Sequence, residues 1–151
     1  MRTIDKLFQY FRYDVWNIKQ AMVAVYSDKE RNYATYEKWI DQLEERCIEL
    51  NDETYRQIQN LLYCLEIREL EEPCLTVDAD GFHQEFIYDN GTETITLSGT
   101  NLEYCREEPG VYPNAVKMLE ILSMIGEILV PLGVDSSCFL LSDPMEGNQV
   151  E

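Results

Sequence analysis

Few side chains in this sequence are suited to covalent, acid–base or metal chemistry. His83 is the only histidine, and the five cysteines, Cys47, Cys64, Cys74, Cys105 and Cys138, are widely spaced with no C-x-x-C pair. Zinc needs cysteine and histidine in tight local clusters, and a nucleophilic thiol needs a nearby base, so this spacing argues against both. The expectation is reduced, structural cysteines, with Cys47 and Cys64 as small core residues in apolar helices. The segment "TVDADGF" (76–82) has the look of a calcium loop. With Gly81 at the sixth position, however, Thr76 and Ile87 fall where the loop needs a carboxylate and a bidentate glutamate. A turn is the better reading. There is no glycine-rich phosphate loop, G-x-S-x-G elbow or H-E-x-x-H pair. The expected protein is not an enzyme, with no metal and no cofactor.

Carboxylates are the abundant reactive group: 29 acids against 12 Lys and Arg give a net charge of −17. The balance is +2 over residues 1–26, −7 over 27–72, −7 over 73–112 and −5 over 113–151, and beyond Arg68 the only cations are Arg106 and Lys117. Such a field costs stability through self-repulsion, repels nucleic acid and steers basic surfaces inward. The run "IDQLEERCIEL" (40–50) concentrates it. Read as a helix, it aligns Glu37, Asp41, Glu45 and Glu49 in a stripe with a rise of about 6 Å between neighbours, near the phosphate spacing of a nucleic-acid strand. Glu44 sits beside that stripe. A second acidic group, Glu103, Glu107 and Glu108, lies in the cation-poor half. These eight residues are the candidate partner-binding set.

The elements that would position them follow from hydrophobic period. Ile4, Leu7, Phe8, Phe11, Val15, Ile18, Met22 and Val25 recur at steps of three and four, as do Tyr36, Ile40, Leu43, Cys47 and Leu50, and then Tyr55, Ile58, Leu62 and Leu65 behind an Asn51 or Asp52 cap. This predicts three antiparallel helices over 3–70. After Pro73 the period becomes two: Phe82, Phe86 and Tyr88 alternate with His83 and Glu85, and polar Gln84 shares the apolar face. Turns at "DADG" (78–81) and "DNG" (89–91) and the run "TETITL" (92–97) predict an antiparallel sheet of about three strands over 74–105, with "LEYC" (102–105) as a possible extension. Residues 113–131 read as a helix apolar on nearly all sides and hence buried, and "CFLL" (138–141) as a short strand. The fold class expected is α+β, one globular domain over 1–143 with a flexible tail at 144–151.

A chain of 151 residues with 45% hydrophobic content can bury a core, so the high charge does not imply disorder. No apolar run approaches a membrane span and no signal segment is evident, which points to a cytoplasmic protein without membrane contact. In type, a small acidic domain lacking catalytic residues resembles the inhibitors that phages and mobile elements direct against nucleic-acid-handling defence enzymes, anti-CRISPR and anti-restriction proteins among them. The resemblance implies a non-catalytic inhibitor, and a possible nucleic-acid mimic, whose partner is a basic protein and which does not bind nucleic acid directly. An immunity protein against a basic nuclease toxin is the alternative. A carboxylate-based enzyme ranks third and a scaffold subunit fourth.

Overall fold

Asp14 starts the architecture by closing a hairpin: its carboxylate Oδ1 accepts from the backbone N–H of Trp16 at 2.8 Å and of Ile18 at 2.9 Å. The flanking segments are rich in valine, tyrosine and phenylalanine, residues that fit a pleated surface. They form strands β1 (Asp5–Tyr13) and β2 (Lys19–Ser27), followed by β3 (Asn32–Trp39) and β4 (Leu43–Leu50). Helix α1 (Asp52–Tyr63), strands β5 (His83–Asp89) and β6 (Thr94–Thr100), a 3-10 turn (Leu102–Glu107), helix α2 (Pro113–Leu129) and two further 3-10 turns complete the order. The computed structural model describes residues 5–14, 16, 18–39, 42–71 and 82–139.

The six strands make one antiparallel sheet in the order β4-β3-β2-β1-β5-β6. Its inner face presents Phe8, Tyr10, Val23, Val25, Ala34, Tyr36, Phe86, Tyr88, Ile95 and Leu97, all buried. The helices pack on this face. The Tyr88 hydroxyl bonds to the carbonyls of Leu65 and Ile67 beyond α1, both at 3.1 Å. Ala115, Met118, Leu119, Leu122, Ile125 and Leu129 of α2 join the same core. The first turn of α2 begins at Pro113, and the Glu71 carboxylate accepts from the N–H groups of Asn114 at 2.7 Å and Ala115 at 3.2 Å. That carboxylate both satisfies helix-end donors and meets the positive end of the helix dipole.

The three-helix segment expected over 3–70 is therefore corrected: residues 5–50 supply four strands, and only the third of the expected helices exists, as α1. Asn51 caps it, its side chain accepting from Thr54 N–H at 2.7 Å. The small three-strand sheet is likewise corrected to one of six strands. The β5–β6 hairpin occupies its expected place, with Gly91 at φ 96° in the turn, whereas "LEYC" is a 3-10 turn. Helix α2 spans most of 113–131, yet it lies on the sheet with Met124 exposed instead of being enclosed on all sides. Ser136–Phe139 is a 3-10 turn where a strand was expected. The 78–81 turn, Asp41 and the tail at 144–151 lie outside the described residues.

Candidate partner-binding surface

On the sheet's outer face, side chains alternate away from the core: Gln9, Phe11 and Tyr13 on β1, Met22, Ala24 and Tyr26 on β2, Tyr33, Thr35, Glu37 and Trp39 on β3, Glu45, Cys47 and Glu49 on β4, His83, Glu85 and Ile87 on β5. Among the described residues no helix covers this face. Both helices and the Ser136–Phe139 turn engage the inner one, through contacts such as Arg12 Nη1 donating to the Ser137 carbonyl at 2.9 Å and Lys38 Nζ to Asp135 at 2.8 Å.

The outer face is aromatic and acidic together. Tyr26 and Tyr33 stack at 5.4 Å, Phe11 and Tyr13 at 6.2 Å, and Tyr13 meets the His83 ring at 5.9 Å. Lys19 lies 5.2 Å from the ring centroids of both Phe11 and Trp39, so these rings already hold a cation. Glu37 stands directly opposite Glu45 across β3 and β4. Among the described residues Glu37, Glu45 and Glu85 have no cation within pairing distance, while Glu49 pairs with Arg31 at 3.5 Å. Burial pushes the Tyr26 phenol up to about 12, helped by its 3.6 Å contact with the Cys47 sulfur, and burial with Glu85 alongside raises Tyr13. These rings stay neutral at physiological pH.

At the end of the sheet where β1 meets β2, large apolar side chains stand in solvent. Trp16 is 77% exposed, Ile18 58% and Leu43 47%, and Phe82 and Tyr104 are exposed at the same end, the former with Arg12 over its ring at 5.4 Å. Tryptophan on a hairpin tip beside a half-exposed aromatic face has the composition of a protein-binding surface.

The eight sequence-derived residues divide. Glu37, Glu45 and Glu49 share the outer face: a step of four returns Glu49 to the side of Glu45 on β4, and Glu37 pairs with Glu45 across β3 and β4. The helical stripe is nevertheless corrected: along β4, Glu45 and Glu49 lie about 13 Å apart at strand rise instead of about 6 Å, and the phosphate-like ladder does not exist. Glu44 points to the inner side, accepting from the Tyr36 hydroxyl at 2.8 Å with Lys38 Nζ at 3.8 Å. Lys38 in turn holds Asp135 down to about 2, with Ser137 also donating to that carboxylate. Glu103, Glu107 and Glu108 belong to the turn after β6, which packs with α2 on the inner side of the sheet and is tied to β5 by Leu102 N–H donating to the Gln84 side chain at 2.9 Å. The two acidic groups do not converge. The set of eight acids leaves out the aromatic members of the face, although tyrosines such as Tyr13 and Tyr33 are by type suited to an interface. Their signal was present in tyrosine, phenylalanine and tryptophan at alternate positions of 9–13 and 33–39.

His83 has no hydrogen bond to a thiol or carboxylate, and no group of three His, Cys, Asp or Glu side chains is arranged for a metal, among the described residues. Cys47 and Cys64 are exposed, correcting their assignment to the core, while Cys138 is buried with its thiol pushed up to about 12 by desolvation. Cys105 is disulfide-bonded, which corrects the expectation of five reduced cysteines. No described helix is long and apolar enough to cross a membrane. No family of proteins and no curated protein matches this chain.

Proposed function

We propose that the protein is a non-catalytic acidic inhibitor that seats a basic protein, of the kind that grips nucleic acid, against the outer face of its sheet. The observation that carries this reading is the combination on one uncovered face of cation-holding rings with carboxylates that have no internal cation. Arginine and lysine are the side chains that satisfy both, the planar guanidinium by stacking on aromatic rings and the ammonium by sitting over a ring face, each able to pair with Glu37, Glu45 and Glu85. The charge of −17 supports fast approach of such a partner and opposes direct contact with DNA or RNA. A groove built to neutralise phosphates is the commonest basic surface of this kind, so blocking it in a defence enzyme of the host cytoplasm is the role proposed.

Affinity capture with the full chain tests this. The wild type should retain a basic, nucleic-acid-handling protein and inhibit it. Glu37→Lys with Glu85→Lys should lose both, whereas Glu107→Lys with Glu108→Lys, in the turn after β6 that packs with α2, should keep them. Association should slow as salt rises, because steering is screened over about 8–10 Å. Retention by the outer-face double variant, or an association rate indifferent to salt, would overturn the proposal.

A further inference from the structure

Strand β4 is an open edge. Six of its eight residues are exposed, it pairs only with β3, and the backbone groups on its other side have no hydrogen-bond partner among the described residues. An open edge is a template for another strand, and sequence decides which strand it accepts. Here the edge carries Glu44, Glu45 and Glu49 against one cation, Arg46. Antiparallel pairing with a second copy would bring these acids onto each other within chains that each carry −17, so self-pairing is opposed. The other edge, β6, reads Thr-Ile-Thr-Leu-Ser-Gly-Thr and has no charge with which to select a partner.

From this we infer that β4 is the acceptor for a basic extended segment of the partner, which adds to the sheet as a seventh strand. The inference rests on the proposal that the partner is basic, and it adds how that partner is gripped. Alternate side chains of the added strand lie on the outer face beside Glu45, Cys47 and Glu49. Just inboard, a cavity of about 320 Å³ is bounded by Tyr26, Thr35, Tyr36, Glu37, Glu45, Arg46 and Cys47, the Arg46 guanidinium being turned to the inner side toward Gly133. An added strand lies about 4.8 Å from β4, so an arginine on it reaches across that strand into the cavity, placing its guanidinium between the Glu37 and Glu45 carboxylates and near the Tyr26 ring. Backbone pairing supplies the grip. The cavity supplies preference for a long cationic side chain.

The probe is a short peptide alternating arginine and threonine, with two further versions N-methylated on the backbone at only the arginines or only the threonines. A strand has one hydrogen-bonding edge per parity, so one methylated version should lose at least about tenfold in affinity and the other stay close to the parent. Amide hydrogen exchange in the full-length protein should slow at 43–50 on peptide binding and stay unchanged at 94–100. Glu37→Gln with Glu45→Gln should weaken the arginine peptide and leave a serine–threonine control unaffected. Equal binding of the two methylated peptides, or protection at β6 instead of β4, would overturn the inference. Loss of peptide binding while the captured basic protein still requires Glu37 and Glu85 would overturn it and leave the proposed function standing. Failure of both sinks both.

Discussion

Glu45→Lys should make the protein more stable while weakening its hold on a partner. Glu37 and Glu45 are cross-strand partners, which puts their Cβ atoms about 5 Å apart. Two like charges at that distance in water repel by about 0.8 kcal/mol, and screening at physiological ionic strength reduces this to about 0.4. Reversal turns repulsion into attraction of the same size, so the swing is about 0.8 kcal/mol. Glutamate and lysine have similar strand preference, which leaves electrostatics as the main difference. Urea denaturation should show the midpoint rising with an unchanged slope. In about 1 M salt, where the screening length is about 3 Å, the gain should shrink to roughly 0.3 kcal/mol. A variant that is less stable than wild type, or a gain that survives high salt, would refute the view that this pair is a strained arrangement kept for binding.

Three other outcomes follow from the interior. Gln84 is 2% exposed; its amide donates to the Tyr10 hydroxyl at 2.9 Å and accepts from Leu102 N–H at 2.9 Å, so Gln84→Ala should cost about 3 kcal/mol by deleting two bonds and orphaning a buried donor, and a loss below about 1 in urea melts would contradict that network. Leu122→Ala should cost about 2–5 kcal/mol in the same assay, since Leu122 is fully buried between α2 and the sheet. Burial lifts the Tyr10 phenol and the Cys138 thiol to about 12, above ordinary values of 10.0 and 9.0; the stability this represents is present below those ordinary values and is lost as pH climbs toward 12, so urea midpoints should fall between pH of about 9 and 11.5, and a flat profile there would count against both groups being buried.

Where an element buries one face and wets the other, its period was readable. The β5 alternation, the Asn51 cap of α1 and the apolar run of α2 all emerged from residue spacing, and even Gln84 was placed on the inward face, where it proves to be bonded. The N-terminal sheet concealed itself because it is apolar on both sides. Phe8 and Tyr10 point in while Phe11 and Tyr13 point out, so alternation vanishes and the remaining apolar residues fall by coincidence at steps of three and four. Tyrosine, valine and threonine content over 19–39 was the contrary signal. For the acids, a step of four keeps one face in a strand as well as in a helix, so Glu45 and Glu49 stayed together on β4, while Glu37 joined them only through its cross-strand register with Glu45, which no helical spacing anticipates. Glu44, one residue out of phase, went to the other side. The disulfide at Cys105 had no trace in cysteine spacing.

The strand order also decides how the chain must assemble itself. β1 to β4 run as a meander in which every neighbour in space is a neighbour in sequence, but β1 takes its second partner, β5, from 70 to 80 residues away. Closing that seam carries the largest loop entropy of any strand pairing in the sheet, and it joins Phe8 to Tyr88 and Tyr10 to Phe86. Substitutions at those four positions should therefore slow folding, whereas losses on β4, at the end of the meander, should chiefly hasten unfolding. During synthesis the meander and α1 are complete before β5 exists, and until it arrives β1 offers a second bare edge. With Asp5 against Lys6 and Arg12, that edge lacks the excess of acid that guards β4, so the nascent chain passes through its greatest risk of edge pairing before β5 covers it.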